Sequence, residues 1–401
     1  MLDELADLIE IDTSFPPGRG YASFVEVLEK QLEPLGFSSE RIEVPEHLWK
    51  VPGVDGPRIN LISRRSSRLP PHYIYFHTDT VPVGVGWTHP PLKLTKVKGN
   101  LYGRGTADMK GAIAATLAAL RSLDEAKGQY AFEPVLLFCT DEEGGLYPGV
   151  RYLDEIGKID GPILCLNGQA EPRIWSGCFG SLDMHLTFKG LAAHSGIPNI
   201  GINAIEQTLP ILQSIQNLSE KIKKRVSSMP PPDKLNGEPL TALLSITMAR
   251  GGDKGSSLPG QFEINLNRRY LPIETFNEVV NEIHETITIA VEKTKLCDWS
   301  SEIRGHLRPV ENPVGEEYWP RWIEALSKGF GWPLNKFRAW GSSTSSDMGW
   351  IQRTCNQEIL LGGLGGNDRN QHAADENTTM TDLMSLARSI IFYFSNDFSK
   401  T

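Results

Sequence analysis

The stretch Tyr73-Ile74-Tyr75-Phe76-His77-Thr78-Asp79-Thr80-Val81-Pro82 decides how this chain is read. A short apolar run such as Tyr73 to Phe76 is what a strand buried on both faces requires. A histidine and an aspartate follow at once, so the strand ends in polar chemistry. The pattern recurs. Pro134 to Thr140, with Val135-Leu136-Leu137-Phe138, reads as a second buried strand and runs into Asp141-Glu142-Glu143-Gly144-Gly145. Gly161 to Leu166 reads as a third, with Glu171-Pro172 beyond it. Between the first two lies the helical pattern of Met109 to Leu123, opened by Gly103-Arg104-Gly105-Thr106-Ala107-Asp108. This alternation predicts a mixed, mostly parallel α/β sheet with helices on both faces.

Working outward, Met1 to Ile11 and Tyr21 to Leu35 have amphipathic helical spacing, the second ended by Gly36. The middle of the chain reads differently. Leu182 to Lys189 alternates as a strand, Asn203 to Leu218 is helical, Thr241 to Ala249 and Gln261 to Tyr270 are strands, and Phe276 to Lys293 is a helix. The α/β rhythm then returns with helices at Trp319 to Gly329 and Met380 to Phe394 around a strand at Glu358 to Leu361. The pattern predicts a catalytic domain of residues 1–179 and 300–401, interrupted by a smaller α+β unit at 180–299.

Composition bounds the function. The 401 residues exceed what one growing core accommodates. A net charge of −9 gives no electrostatic footprint for nucleic acid. Five scattered cysteines without a C-x-x-C pair argue against a disulfide framework and fit a reducing compartment. Met1 to Glu10 carries acids and no base, unlike a signal peptide, and no apolar run is long enough to span a membrane. A cytoplasmic protein is expected.

The chemistry sits at the strand ends. Ligands bind open α/β sheets at the carboxyl ends of their strands, so His77, Asp108, the Asp141–Glu143 acids and Glu171 are expected to converge on one cleft. Imidazole plus carboxylate without thiolate is the donor set of catalytic zinc, cobalt or manganese. Residues two apart on a strand end share a face, so Asp79 is expected to accept the second imidazole N–H of His77. Of adjacent Glu142 and Glu143, one can bind metal while the other acts as a base. A lone histidine, a D-E-E turn or a G-R-G loop is each usually structural; four such clusters in order are hard to ascribe to accident. A serine nucleophile in Ser342 to Ser346 lacks the G-x-S-x-G elbow.

These motifs resemble those of the M20 family of zinc metallopeptidases and deacylases. That family includes acetylornithine deacetylase, succinyl-diaminopimelate desuccinylase, the aminoacylases and the glutamate carboxypeptidases. H-T-D-T-V-P at 77–82 and G-R-G-T-A-D-M-K-G at 103–111 carry the resemblance, which runs over almost the whole chain. It implies His77 as a ligand of one metal, Asp108 as a bridge, Glu143 as a ligand of the other metal, and Glu142 as the general base. It implies Glu171 and His372 as the remaining ligands, and one or two Zn2+ per chain, with Co2+ or Mn2+ as substitutes. The insert becomes a ferredoxin-like lid and dimerisation domain. In it, His194 of Leu191-Ala192-Ala193-His194-Ser195-Gly196 matches a histidine that polarises the scissile carbonyl across a homodimer. Arg269 and Asn203 match substrate-binding positions.

The implied activity is hydrolysis of an N-acyl amino acid, with a dipeptidase or carboxypeptidase as the alternative on the same machinery. A binding protein that kept the fold is the alternative from another class. It would be marked by loss of the base or a ligand, and both are present in the sequence.

Overall fold

The computed structural model describes residues 1–51, 53–144, 146–312, 315, 317–355 and 358–396. Gly145 of the third motif and the side chain of Cys355 lie outside the described residues. The chain divides into two compact units. One comprises Met1–Trp175, Asn312–Ala339 and Trp350–Thr401; the other comprises Ser176–Glu311 and Trp340–Gly349.

The first unit is built on a six-stranded sheet in the order Ser38–Glu43, Ile59–Arg64, Glu133–Cys139, Pro71–His77, Ile163–Cys165, Ile359–Leu361. The last four strands run parallel to one another, and the first two join antiparallel at one edge. Every residue of Glu133–Cys139 is buried, and so is all of Pro71–His77 except Pro71. That is why both read as continuous apolar runs rather than as an alternation. His77 lies opposite Cys139 in the register. The two strands therefore leave the sheet at the same level, and the residues after them emerge side by side.

The helix Lys110–Glu125 packs against Met380–Phe394 and Leu2–Glu10. Its alanines allow close approach, and its first two turns are wholly buried. Lys110 reaches back to the first helix, where its Nζ donates to the carbonyls of Leu8 at 3.0 Å and Ile11 at 2.8 Å. A cation there satisfies two of the carbonyls that a helix leaves unpaired at its C-terminus. A small sheet of Thr95–Val97, Asn100–Tyr102 and Asn377–Thr379 fixes the last segment beside the glycine-rich loop.

The second unit holds an antiparallel sheet in the order Leu243–Gly251, Gln261–Tyr270, Gly180–Lys189, Asp298–Leu307. Alternate residues Leu182, Met184, Leu186, Phe188 and Phe262, Ile264, Leu266 share one core with the helices Ala204–Ile222 and Phe276–Val291. The second helix begins with a capping box between Thr275 and Glu278.

Within the six-stranded and four-stranded sheets, three strands escape the sequence pattern: Ser38–Glu43, Ile59–Arg64 and Asp298–Leu307. The first and third are edge strands with mostly exposed residues, so no apolar period marks them. Cys139, Cys165, Cys178 and Cys297 form no disulfide. Among the described residues no helix is long and apolar enough to cross a membrane.

Candidate metal centre

The strand Pro71–His77 delivers His77 with its side chain fully buried. The glycine-rich loop delivers Asp108, one residue before the helix Lys110–Glu125. The end of Glu133–Cys139 delivers Glu142 and Glu143. The loop before Asn377–Thr379 delivers His372. His77, Asp108 and Glu143 each offer a ligand atom within 4.8 Å of the other two. His77 Nε2 lies 2.9 Å from Asp108 Oδ1. His372 Nε2 lies 3.3 Å from Asp108 Oδ2 and 3.1 Å from Glu143 Oε2. One oxygen of the Asp108 carboxylate thus faces each histidine.

The electrostatics point to a cation. Burial opposes charge on His77, but its contacts with Asp108 and Asp79 hold its pKa well above the ordinary imidazole value. Asp108 and then Glu143 push His372 up to about 10. Burial disfavours ionised Asp108, yet the two imidazoles hold its pKa well below the ordinary carboxylate value. Burial and the charge of Asp108 raise Glu143. The cluster concentrates carboxylate charge that protons on the two imidazoles offset. A divalent cation would supply that positive charge and release the protons. Two imidazoles and two carboxylates without a thiolate are donors suited to zinc, cobalt or manganese.

Asp79 behaves differently from the sequence expectation. His77 Nδ1 has the Asp79 main-chain oxygen as its hydrogen-bond partner at 3.0 Å, while the Asp79 carboxylate stands off at 3.6 Å. That carboxylate instead accepts the main-chain N–H of Glu142 at 3.1 Å and of Glu143 at 2.8 Å. Two amides in line outcompete one imidazole, and Asp79 becomes the cradle of the Glu142-Glu143 dipeptide.

The group of His77, Asp108 and Glu143 does not include Glu171. Its carboxylate pairs with Arg173 Nη2 at 2.5 Å. Gln169-Ala170 lengthens the connection after Gly168, and the Ala170 N–H is tied to the Gly365 carbonyl at 2.8 Å. Glu171 therefore sits past that bend.

In the second unit, His194 Nδ1 accepts the Gly196 N–H at 3.0 Å. A neutral ring then carries its proton on Nε2. Asn203 Oδ1 accepts the N–H groups of Ile205 and Glu206 and caps the helix Ala204–Ile222. Arg269 donates to Ser345 Oγ at 2.7 Å and to Asn267 Oδ1 at 3.0 Å.

Several contacts around the centre have no sequence signal. Gln371 Nε2 donates to Asp108 Oδ2 at 3.2 Å. Asn167 Nδ2 donates to Glu142 Oε1 at 3.1 Å. Asp141, in the left-handed region at φ 56°, accepts from Tyr21 Oη at 2.5 Å and from Arg58 Nε at 2.7 Å. The buried Arg58 guanidinium lies over the rings of Trp49, Tyr21 and Phe15. Nothing in the local sequence of an arginine at 58 announces a partner at 141.

A model of the family described as peptidase family M20/M25/M40 matches residues 73–393. A succinyl-diaminopimelate desuccinylase of Acidiphilium cryptum is 31% identical over 270 residues, 65% of this chain and 66% of that one. An acetylornithine deacetylase of Proteus mirabilis is 28% identical over 270 residues, 66% of this chain and 64% of that one. The chain thus spans about two thirds of the length of these relatives. Among solved structures, an M20 family metallo-carboxypeptidase of Sulfolobus solfataricus shares the fold with a TM-score of 0.77 at 18% identity, over 97% of both chains.

Proposed function

Because the chain belongs to peptidase family M20/M25/M40, we propose that it is a metal-dependent amidohydrolase that removes the acyl group from an N-acyl amino acid. The observation that carries this reading is the Asp108 carboxylate facing His77 with one oxygen and His372 with the other, beside Glu143. Asp108 would bridge two cations, with His77 on one and Glu143 and His372 on the other. Zn2+ is the proposed metal. When bound, it supplies a Lewis acid that polarises the amide carbonyl and acidifies water.

Glu142 takes the proton from the attacking water and passes it to the leaving nitrogen. The water oxygen bonds to the carbonyl carbon, the C–N bond breaks, and the products are a carboxylate and a free amine. Asp79 holds the main chain of Glu142 through this exchange. In the same reading, the second unit is a lid and dimerisation domain. His194 Nε2 donates to the scissile carbonyl, and Arg269 receives the substrate carboxylate through its planar fork. The strand Leu243–Gly251 supports dimerisation, since it is a sheet edge exposed along most of its length.

The names of the two relatives support an acetyl or succinyl group on a diamino acid. The test is a hydrolysis panel on protein loaded with zinc, cobalt or manganese. It contains N-acetyl-L-ornithine, N-succinyl-LL-diaminopimelate, N-formyl and N-carbamoyl amino acids, and dipeptides. Turnover of an N-acyl amino acid that chelation abolishes and zinc restores is expected. Preference for dipeptides would overturn the substrate class, and no turnover of any member would overturn the hydrolase.

A further inference from the structure

The carboxylate of Glu142 is approached from a different strand end. Ile163–Cys165 is followed by Leu166 and Asn167, and Asn167 Nδ2 donates to Glu142 Oε1 at 3.1 Å. A carboxylate oxygen only accepts, so the amide must present its nitrogen there.

The loop that carries Asn167 is fixed without its side chain. The Gly168 N–H donates to the Gly362 carbonyl at 2.8 Å, the Gly168 carbonyl accepts from Gly365 at 3.0 Å, and the Ala170 N–H donates to Gly365 at 2.8 Å. A Cβ at Gly168 would come within 2.8 Å of the Gly362 oxygen, so the two glycine loops lie in direct contact. The amide of Asn167 is therefore free of structural duty in its own loop and is aimed at Glu142 from a rigid base.

We propose that Asn167 is a positioning residue for the general base. The terminal torsion of a glutamate is broad and roughly two-fold, so an untethered carboxylate presents either oxygen over a wide arc. Asp79 holds the main chain of Glu142, and Asn167 holds Oε1. Together they hold Glu142 at its main chain and at one carboxylate oxygen. The proposal rests on the reading of Glu142 as the base, and the experiment separates the two.

Asn167→Ala and Asn167→Leu, the second close in size but without a donor, are compared with wild type. The comparison uses the panel compound that the zinc-loaded wild type turns over fastest. Glu142→Gln and the double variant Asn167→Ala/Glu142→Gln are measured alongside, with metal content and melting temperature recorded for all. The expected result is a kcat lower by roughly 10- to 100-fold in both asparagine variants. KM, metal content and melting temperature should stay at wild-type values. In the Glu142→Gln background, Asn167→Ala should cause no further loss, because a residue acting only through the base has nothing left to act on. Wild-type kcat in Asn167→Ala, or the same fold loss in both backgrounds, would overturn the proposal. Full activity of Glu142→Gln would instead overturn the base on which it rests.

Discussion

Asp108 and Glu376 are 268 residues apart, and the Glu376 Oε1 accepts the Asp108 main-chain N–H at 3.0 Å. The same carboxylate accepts the N–H groups of Ala107 at 2.9 Å and Gly105 at 3.0 Å, and it pairs with Arg104 Nη1 at 2.7 Å. Arg104 in turn donates to the Ala373 carbonyl at 3.2 Å. One buried ion pair thus staples the loop that bears Asp108 to the loop that bears His372.

Glu376→Gln should loosen that staple. The substitution leaves Arg104 buried without its counter-charge, which costs about 3–5 kcal/mol when a buried pair is broken. Zinc affinity should fall by roughly 10- to 100-fold, as it does when partners of metal-bearing groups are removed. Urea melts and zinc competition with a chelator measure the two effects.

The Arg58–Asp141 pair is likewise buried on both sides. Arg58→Met should destabilise by about 3–5 kcal/mol because it strands the carboxylate. Arg58→Met/Asp141→Asn should recover part of that loss, since the second change removes the stranded charge. Strictly additive losses in the melts would show that the two side chains do not depend on one another.

His72 contributes a pH dependence to folding of the first unit. It is fully buried among Phe132, Tyr318, Tyr393 and Phe394. Burial, with Arg321 adding to it, lowers its pKa to about 3. The unfolded chain binds this proton below about pH 6.5 and the folded chain does not. The contribution to stability is therefore complete above about pH 6.5 and is lost as the pH falls toward 3. Each unit in that window removes about 1.4 kcal/mol. His72→Phe should abolish this slope, so the variant should gain about 2 kcal/mol on wild type between pH 7 and pH 5 in urea melts.

Metal content separates the cluster from Glu171. Asp108→Asn should lose bound zinc, since the shared carboxylate faces both histidines. Glu171→Gln should keep it, because the Glu171 carboxylate is paired with Arg173. Loss of metal from Glu171→Gln, read by elemental analysis, would show that this side chain leaves Arg173 to bind the ion.

A mixing test addresses the proposed dimer. His194→Ala and Glu142→Gln chains, each expected to be nearly inactive, are dissociated together and allowed to re-pair. If His194 serves the neighbouring subunit, a mixed dimer has one site with both defects and one with neither. Activity should then return to about half of wild type per mixed dimer. Mixed dimers confirmed by mass but without activity would place His194 on its own chain's substrate or off the reaction.

The sequence by itself determined the parallel sheet and the residues that end its strands. Fully buried strands such as Glu133–Cys139 are marked by unbroken apolar runs, and the switch to His77 or to Glu142-Glu143 marks where each run leaves the core. These signals are local, since each depends on a few consecutive residues. The exposed edge strand Asp298–Leu307 gives no such signal, because half-solvated pairing is compatible with almost any side chain.

Only the tertiary structure decided which partner each polar group takes. The Asp79 carboxylate accepts hydrogen bonds from two main-chain amides rather than from His77. Amide groups are the same at every residue, so no sequence pattern shows that they will be waiting there. The pairings of Glu376 with Arg104, Asn167 with Glu142 and Arg58 with Asp141 join side chains that chain order separates. Their choice follows from the sheet order and from burial. A polar group excluded from water must bond whatever donor or acceptor the fold has brought beside it, and that neighbour exists only once the fold has formed.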